Sequence, residues 1–206
     1  MTESRTELRP SGTKPYFVGI SGAHGTGKTR IINEVELALV DRGYRVKVVS
    51  GTTREVLRLT DSHGYVHGFE VEVLSSTFRT LQLLELQSSS CDVVLSERTG
   101  LDEVTYSSLY KRPKHLTRTL RDMAHWEFQN IWDSVYYKPI HPDYEIEDDG
   151  VRPVEAKTQK GIDLLIRSEL DDPNITYRVL NRDIHEAASR MIDSIVGVLK
   201  SREGNE

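Results

Sequence analysis

Eight residues constrain this chain more than any others: Gly22, Ala23, His24, Gly25, Thr26, Gly27, Lys28 and Thr29 run unbroken between an apolar stretch and an amphipathic one. Glycines at 22 and 27 followed by Lys-Thr fit the Walker A pattern, and the flanking strand and helix supply the context that pattern requires. Glycines let backbone N–H groups wrap phosphate oxygens, and the start of the following helix adds a favourable dipole. Lys28 is spaced to reach the β and γ phosphates, and the Thr29 hydroxyl to ligate a divalent ion. ATP with Mg²⁺ is therefore the expected cofactor pair. His24 and Thr26 are permissive loop positions with no assigned chemistry.

The segments around the loop predict the fold class. Short apolar, β-branched runs fall at residues 16–21, 45–50, 92–96, 134–140 and 175–180, with helical patterns between most of them. That alternation predicts an α/β chain with a parallel sheet covered by helices on both faces. Four stripes at helical spacing read as core packing. They are Ile31, Val35, Ala38 and Leu39; Val71, Leu74, Phe78 and Leu81; Leu116, Leu120, Met123, Ala124 and Ile131; and Ile184, Ala188, Met191, Ile192, Ile195 and Leu199. With 206 residues, one domain over residues 15–200 is expected. Residues 1–14 and 201–206 read as polar tails.

Composition narrows the class further. A formal net charge of −5 argues against holding nucleic acid by a basic surface alone. Cys91 is the only cysteine, so no intrachain disulfide can form, and no stretch has the length of a membrane span. A cytoplasmic protein without membrane contact is expected.

Carboxylates and arginines follow the strands where they end. The third strand delivers Glu97 and Arg98 to the sheet edge at which ligands bind in open α/β folds. Glu97 is read either as the acceptor of a proton from an attacking hydroxyl or as part of a Mg²⁺ shell. Arg98 is read as neutralising phosphate charge in transfer. A surface ion pair is the alternative. The second strand ends similarly at Thr53, Arg54 and Glu55, with Arg54 and Glu55 facing the cleft as acceptor-side residues. A helix capped by Thr53 with a first-turn Glu is compatible with this.

These motifs together resemble the small P-loop kinases of nucleosides, nucleotides and ribosylnicotinamide. The likeness rests on the Walker A loop, Thr-Thr-Arg-Glu-Val at 52–56, Ser-Glu-Arg-Thr at 96–99 and Glu-Asp-Asp-Gly-Val-Arg-Pro at 147–153. The chain is most similar to the branch with the kinase domain of the bifunctional nicotinamide-nucleotide enzyme, common in bacteria and phages. The Glu-Arg pair is similar to the Glu-Arg-Ser of deoxynucleoside kinases and the Asp-Arg of thymidylate kinases. Thr99 stands where the former carry Ser, and Val56-Leu57-Arg58 where the latter carry Pro-Gly-Gly.

The resemblance implies a five-stranded sheet in the order 2-3-1-4-5 and an adenylate-kinase-like architecture with a lid over about residues 141–155. Arg152 would close that lid over the phosphates. It also implies that Asn181 and Arg182 lie against the adenine ring, although an N-cap explains Asn181 equally well.

The insertion between strands three and four bears on the acceptor. It holds Asp102, Tyr106, Tyr110, Trp126 and Trp132, with a basic cluster of Lys111, Arg112, Lys114, His115, Arg118 and Arg121. Asp102 and Tyr106 are expected to bind a small acceptor through a hydroxyl contact and a ring face. The basic cluster is read either as a contact for nucleic acid or as a solvated helix face. Three functions follow: a kinase of a nucleoside, nucleotide or related small molecule; a kinase acting on a modified base or end of DNA; and a nucleotide-gated ATPase without an acceptor.

Overall fold

In a computed structural model, which describes residues 14–59, 70–141 and 156–204, β1 (Tyr16–Ser21) is buried at every position. Such a run lacks the inside–outside alternation of a half-exposed strand and belongs at the centre of a parallel sheet. It lies there: β1 pairs in parallel with β3 (Val93–Ser96) on one side and β4 (Ser134–Tyr137) on the other. β2 (Val46–Val49) adds to β3, and β5 (Arg178–Val179) to β4, giving the order β2-β3-β1-β4-β5. The strand order expected above is the one found. The second to fifth strands are shorter than their apolar runs, and both residues of β5 are exposed.

Helices cover both faces. On one, α1 (Lys28–Val40) and α7 (Ile184–Glu203) pack Ile31, Val35, Met191 and Ile195 against Val18, Ile20 and Leu95. The other face carries α3 (Glu70–Leu86), α4 (Gly100–Leu109), α5 (Lys114–Asn130) and α6 (Ala156–Leu170), with a core of Leu101, Val104, Leu120, Ala124 and Ile162. α2 (Thr52–Leu59) follows β2. Among the described residues no helix is long and apolar enough to cross a membrane. α7 runs through Glu203, three residues into the stretch expected to be a tail.

α3 departs from its expected stripe. Leu74 and Leu81 face solvent at 43% and 59% exposure, and Leu84 joins them at 39%. The buried face is Glu72, Ser75, Ser76, Arg79 and Leu83. Spacing of three and four residues puts both sets on continuous helix faces. The polar face turns inward because α4, α5 and the link between them supply partners for it: Arg79 pairs with Glu103 and Glu127, and Arg112 with Glu72.

Candidate functional site

The loop from Gly22 to Thr29 joins β1 to α1 at the carboxyl end of the central strand. Gly27 precedes the helix in a left-handed conformation, φ 85°, and α1 has no side-chain cap. Its first N–H groups are thus left to other partners, as an anion site requires. Gly22 is a matter of close approach: a Cβ there would stand 2.5 Å from the carbonyl oxygen of Lys138. Lys28 Nζ donates to the carbonyls of Gly22 and Ala23, at 2.5 and 2.7 Å, and Thr26 Oγ1 donates to Ala23 O at 2.8 Å. The hydroxyl of Thr29 donates to Glu97 Oε1 at 2.7 Å. Thr29 and Glu97 are therefore the pair that could hold a divalent ion beside phosphate oxygens.

Arg98 follows, with its guanidinium 5.3 Å from the ring centroid of Tyr106 on α4. Burial lowers its pKa, but Tyr106, Asp102, Glu103 and Glu97 outweigh that, and the net shift is upward. It is a fixed positive charge. The Tyr106 hydroxyl meets His24 Nδ1 at 3.3 Å, and the His24 carbonyl accepts from Gln159 Nε2 at 2.8 Å. His24 is buried and joins the loop to α4 and α6, a structural part that permissive spacing did not suggest.

Other sites sort differently. Asp102 is the N3 member of a capping box: it accepts from Thr99 N at 3.2 Å, while Thr99 Oγ1 caps α4 and meets Ser21 Oγ at 2.6 Å. Thr53 lies inside α2 rather than before it, and Glu55 pairs with Arg58 at 2.6 Å on the helix surface. Arg54 is exposed in the same first turn. Trp132 packs below Gly19, whose missing side chain leaves room for the indole, and Trp126 is exposed on α5. Within the basic cluster, Arg112 pairs with Glu72 and Arg121 with Glu169. Arg152 and residues 142–155 of the expected lid lie outside the described residues.

At the adenine-side loop, α7 is capped by Asp183, whose side chain accepts from Glu186 N at 2.9 Å, rather than by Asn181. Asn181 instead contacts Glu186 and accepts from Asp183 N at 3.0 Å. The carbonyls of Asn181 and Arg182 are both held by the ammonium of Lys138, at 2.9 Å for Asn181. Lys138 is wholly buried after β4, and its own N–H bonds Ser21 O at 2.8 Å. Desolvation pushes its pKa down to about 8, with Asp183 opposing and Arg182 adding to the fall. It thus ties the phosphate loop to the loop before α7. Nothing in its local sequence marks it, because the contact exists only once β4 and β5 pair.

A central strand ending in a phosphate loop, with Lys28, Thr29 and Glu97 at one sheet edge, defines a P-loop NTPase-like protein. A sequence model of the AAA domain (AAA_28) matches residues 17–187. The chain belongs to that family. No curated protein matches it. Among solved structures it is similar to the NadR protein in complex with NR, at 20% identity and a TM-score of 0.60 over 87% of this chain. The chain spans about half of that structure, 51%. At this identity the likeness concerns the fold.

Proposed function

We propose that the chain is a kinase moving the γ-phosphoryl group of ATP to a hydroxyl of a small nucleoside-type acceptor. The observation that carries this reading is the 2.7 Å contact between Thr29 and Glu97, with Arg98 next in the chain. It puts a metal-binding hydroxyl, a carboxylate and a fixed cation where transferred charge develops. Mg²⁺ held by Thr29 and Glu97 would supply charge neutralisation. Lys28 and Arg98 grip the phosphates, Glu97 sits beside the reacting group, and Arg152 is proposed to close the site.

The acceptor side is built by α3 and α4. Among the described residues, Ser75 Oγ, Ser76 Oγ and Glu103 Oε1 are buried without hydrogen-bond partners. Such groups are costly to leave unmatched, and hydroxyls of a ribosyl acceptor would match them once α3 and α4 part to admit it. The NadR structure, solved with NR, supports an acceptor of that type. Tyr106, one turn on from Glu103 along α4, and Asp102, which caps the start of that helix, are the proposed contacts for the acceptor's ring and hydroxyl. The single cysteine, Cys91, is buried, and a reducing cytoplasm is the proposed setting.

The test uses γ-labelled ATP with Mg²⁺ against nucleosides, nucleotides, ribosylnicotinamide and DNA with modified bases. Label on a small acceptor, abolished by Lys28→Ala, is the expected result. Label on DNA alone, with a steep salt dependence, would transfer the assignment to a polymer acceptor. Label only as free phosphate would make the protein an ATPase.

A further inference from the structure

Arg79 is 1% exposed, and both of its partners are carboxylates as buried as itself. Nη1 donates to Glu103 Oε2 at 2.5 Å and Nη2 to Glu127 Oε1 at 3.0 Å. Thr80 Oγ1 adds a bond to the same Glu127 oxygen at 2.7 Å. The other oxygen of Glu127 accepts from the backbone N–H of Gly100 at 2.9 Å, the first residue of α4. That start is packed tightly: a Cβ on Gly100 would lie 2.7 Å from Ala124 Cα. One residue earlier, Thr99 Oγ1 meets Ser21 Oγ at 2.6 Å, immediately before the phosphate loop. The second partner, Glu103, faces Arg98 as well as Arg79.

We infer that Arg79 is a positioning residue, which through Glu127 and Glu103 fixes the start of α4 and thereby holds Glu97 and Arg98 in register with the phosphate loop. Stability alone is a poor reason for such a network. Desolvating a guanidinium and the carboxyl groups around it costs about what their attraction returns, and apolar replacements of similar volume are often as stable. An apolar cluster, however, could not bond Gly100 N–H and orient Arg98 together. The fork of the guanidinium gives each carboxylate a fixed direction, which a lysine ammonium would not. α3, which bears the proposed acceptor wall, is in this way tied to the residues that act on the phosphoryl group.

The inference rests on the kinase reading only for what receives the phosphoryl group. Turnover is therefore measured both as label transferred and as phosphate released from ATP. Wild-type protein that only hydrolyses ATP would sink the kinase reading while leaving the hydrolysis rate to report on Arg79.

Two variants are compared with wild type: Arg79→Lys, and the double change Arg79→Met with Glu127→Gln. The double form keeps an acceptor for Gly100 N–H and leaves Glu103 of the proposed acceptor wall in place, so it tests the idea even where Arg79→Lys fails to fold. Loss of register is expected to lower kcat by about 10- to 100-fold in the folded variants. The KM for ATP should stay within about threefold of wild type, since the phosphate loop itself is unaltered. Exchange of the Gly100 amide should quicken in Arg79→Lys. A kcat that tracks only the folded fraction, or stays near the wild-type value, would overturn the assignment. So would an ATP affinity that falls in step with kcat.

Discussion

The Thr29 hydroxyl donates to Glu97 Oε1 at 2.7 Å, so the first turn of α1 and the end of β3 share one polar contact. Two residues 68 positions apart in the sequence form one unit of the site. Residues acting as a unit respond non-additively to substitution. Thr29→Ala and Glu97→Gln are each expected to lower turnover by about 10²-fold or more and to raise the Mg²⁺ concentration needed. Their combination should cost little beyond the larger single effect. A Mg²⁺ titration of the four proteins in this double-mutant cycle decides it, and fully additive losses would place the two residues in separate roles.

Lys138 offers a second handle. Lys138→Met leaves the carbonyls of Asn181 and Arg182 without their shared donor, and stability should fall by about 1–3 kcal/mol, the usual cost of a buried unmatched group. Burial lowers the folded-state pKa to about 8, so between there and the ordinary lysine range the unfolded chain binds the extra proton. The Lys138 contribution to stability therefore rises with pH across that window and is lost as pH falls through the folded value. Urea unfolding from pH 7 to 10 should show that slope in wild type and a flatter one in Lys138→Met.

Glu103 predicts the opposite slope. Burial raises its pKa to about 7, against the lowering by Arg79 and Arg98. The folded protein holds that proton more tightly than the unfolded chain. Stability from this group is complete below the ordinary glutamate range and drains away as pH rises towards 7. Glu103→Gln, which cannot ionise, should flatten unfolding free energy between pH 4.5 and 7. An unchanged slope would place the titration elsewhere.

The outer face of α3 yields a prediction by contrast. Leu81 is 59% exposed, and Leu81→Gln should change stability by no more than about 0.5 kcal/mol, as a surface substitution does. Ser76→Asp, at a site 1% exposed, should be markedly destabilising because it adds a charge to a buried acidic wall. Thermal unfolding of the two variants separates them.

The phosphate loop and the ends of β1 and β3 are legible in the sequence because local spacing determines them, whereas the strand order comes from the resemblance to small P-loop kinases and not from spacing. Gly22 to Thr29 needs only its own strand and helix to be recognised. α3 departs from its apolar stripe because hydrophobicity alone does not mark its inner face. In this helix the inner face is paid for by ion pairs from α4 and α5, which no window along the chain contains. Asp102 caps α4, a role its sequence position does not separate from acceptor binding, since a carboxylate at N3 serves either purpose. Lys138 and Arg79 were not singled out for a related reason. Each acts through partners more than 20 positions away, and neither belongs to a motif.

The sheet order also divides the molecule by resilience. β1, hydrogen-bonded on both sides, carries the nucleotide loop at its end, and opening it requires the whole sheet to part. β2 is bonded on one side only, and α2 continues from it. Local opening free energies follow such differences. The half that carries the phosphate loop is thus the harder to open, whereas the β2 edge can loosen while the loop stays in place.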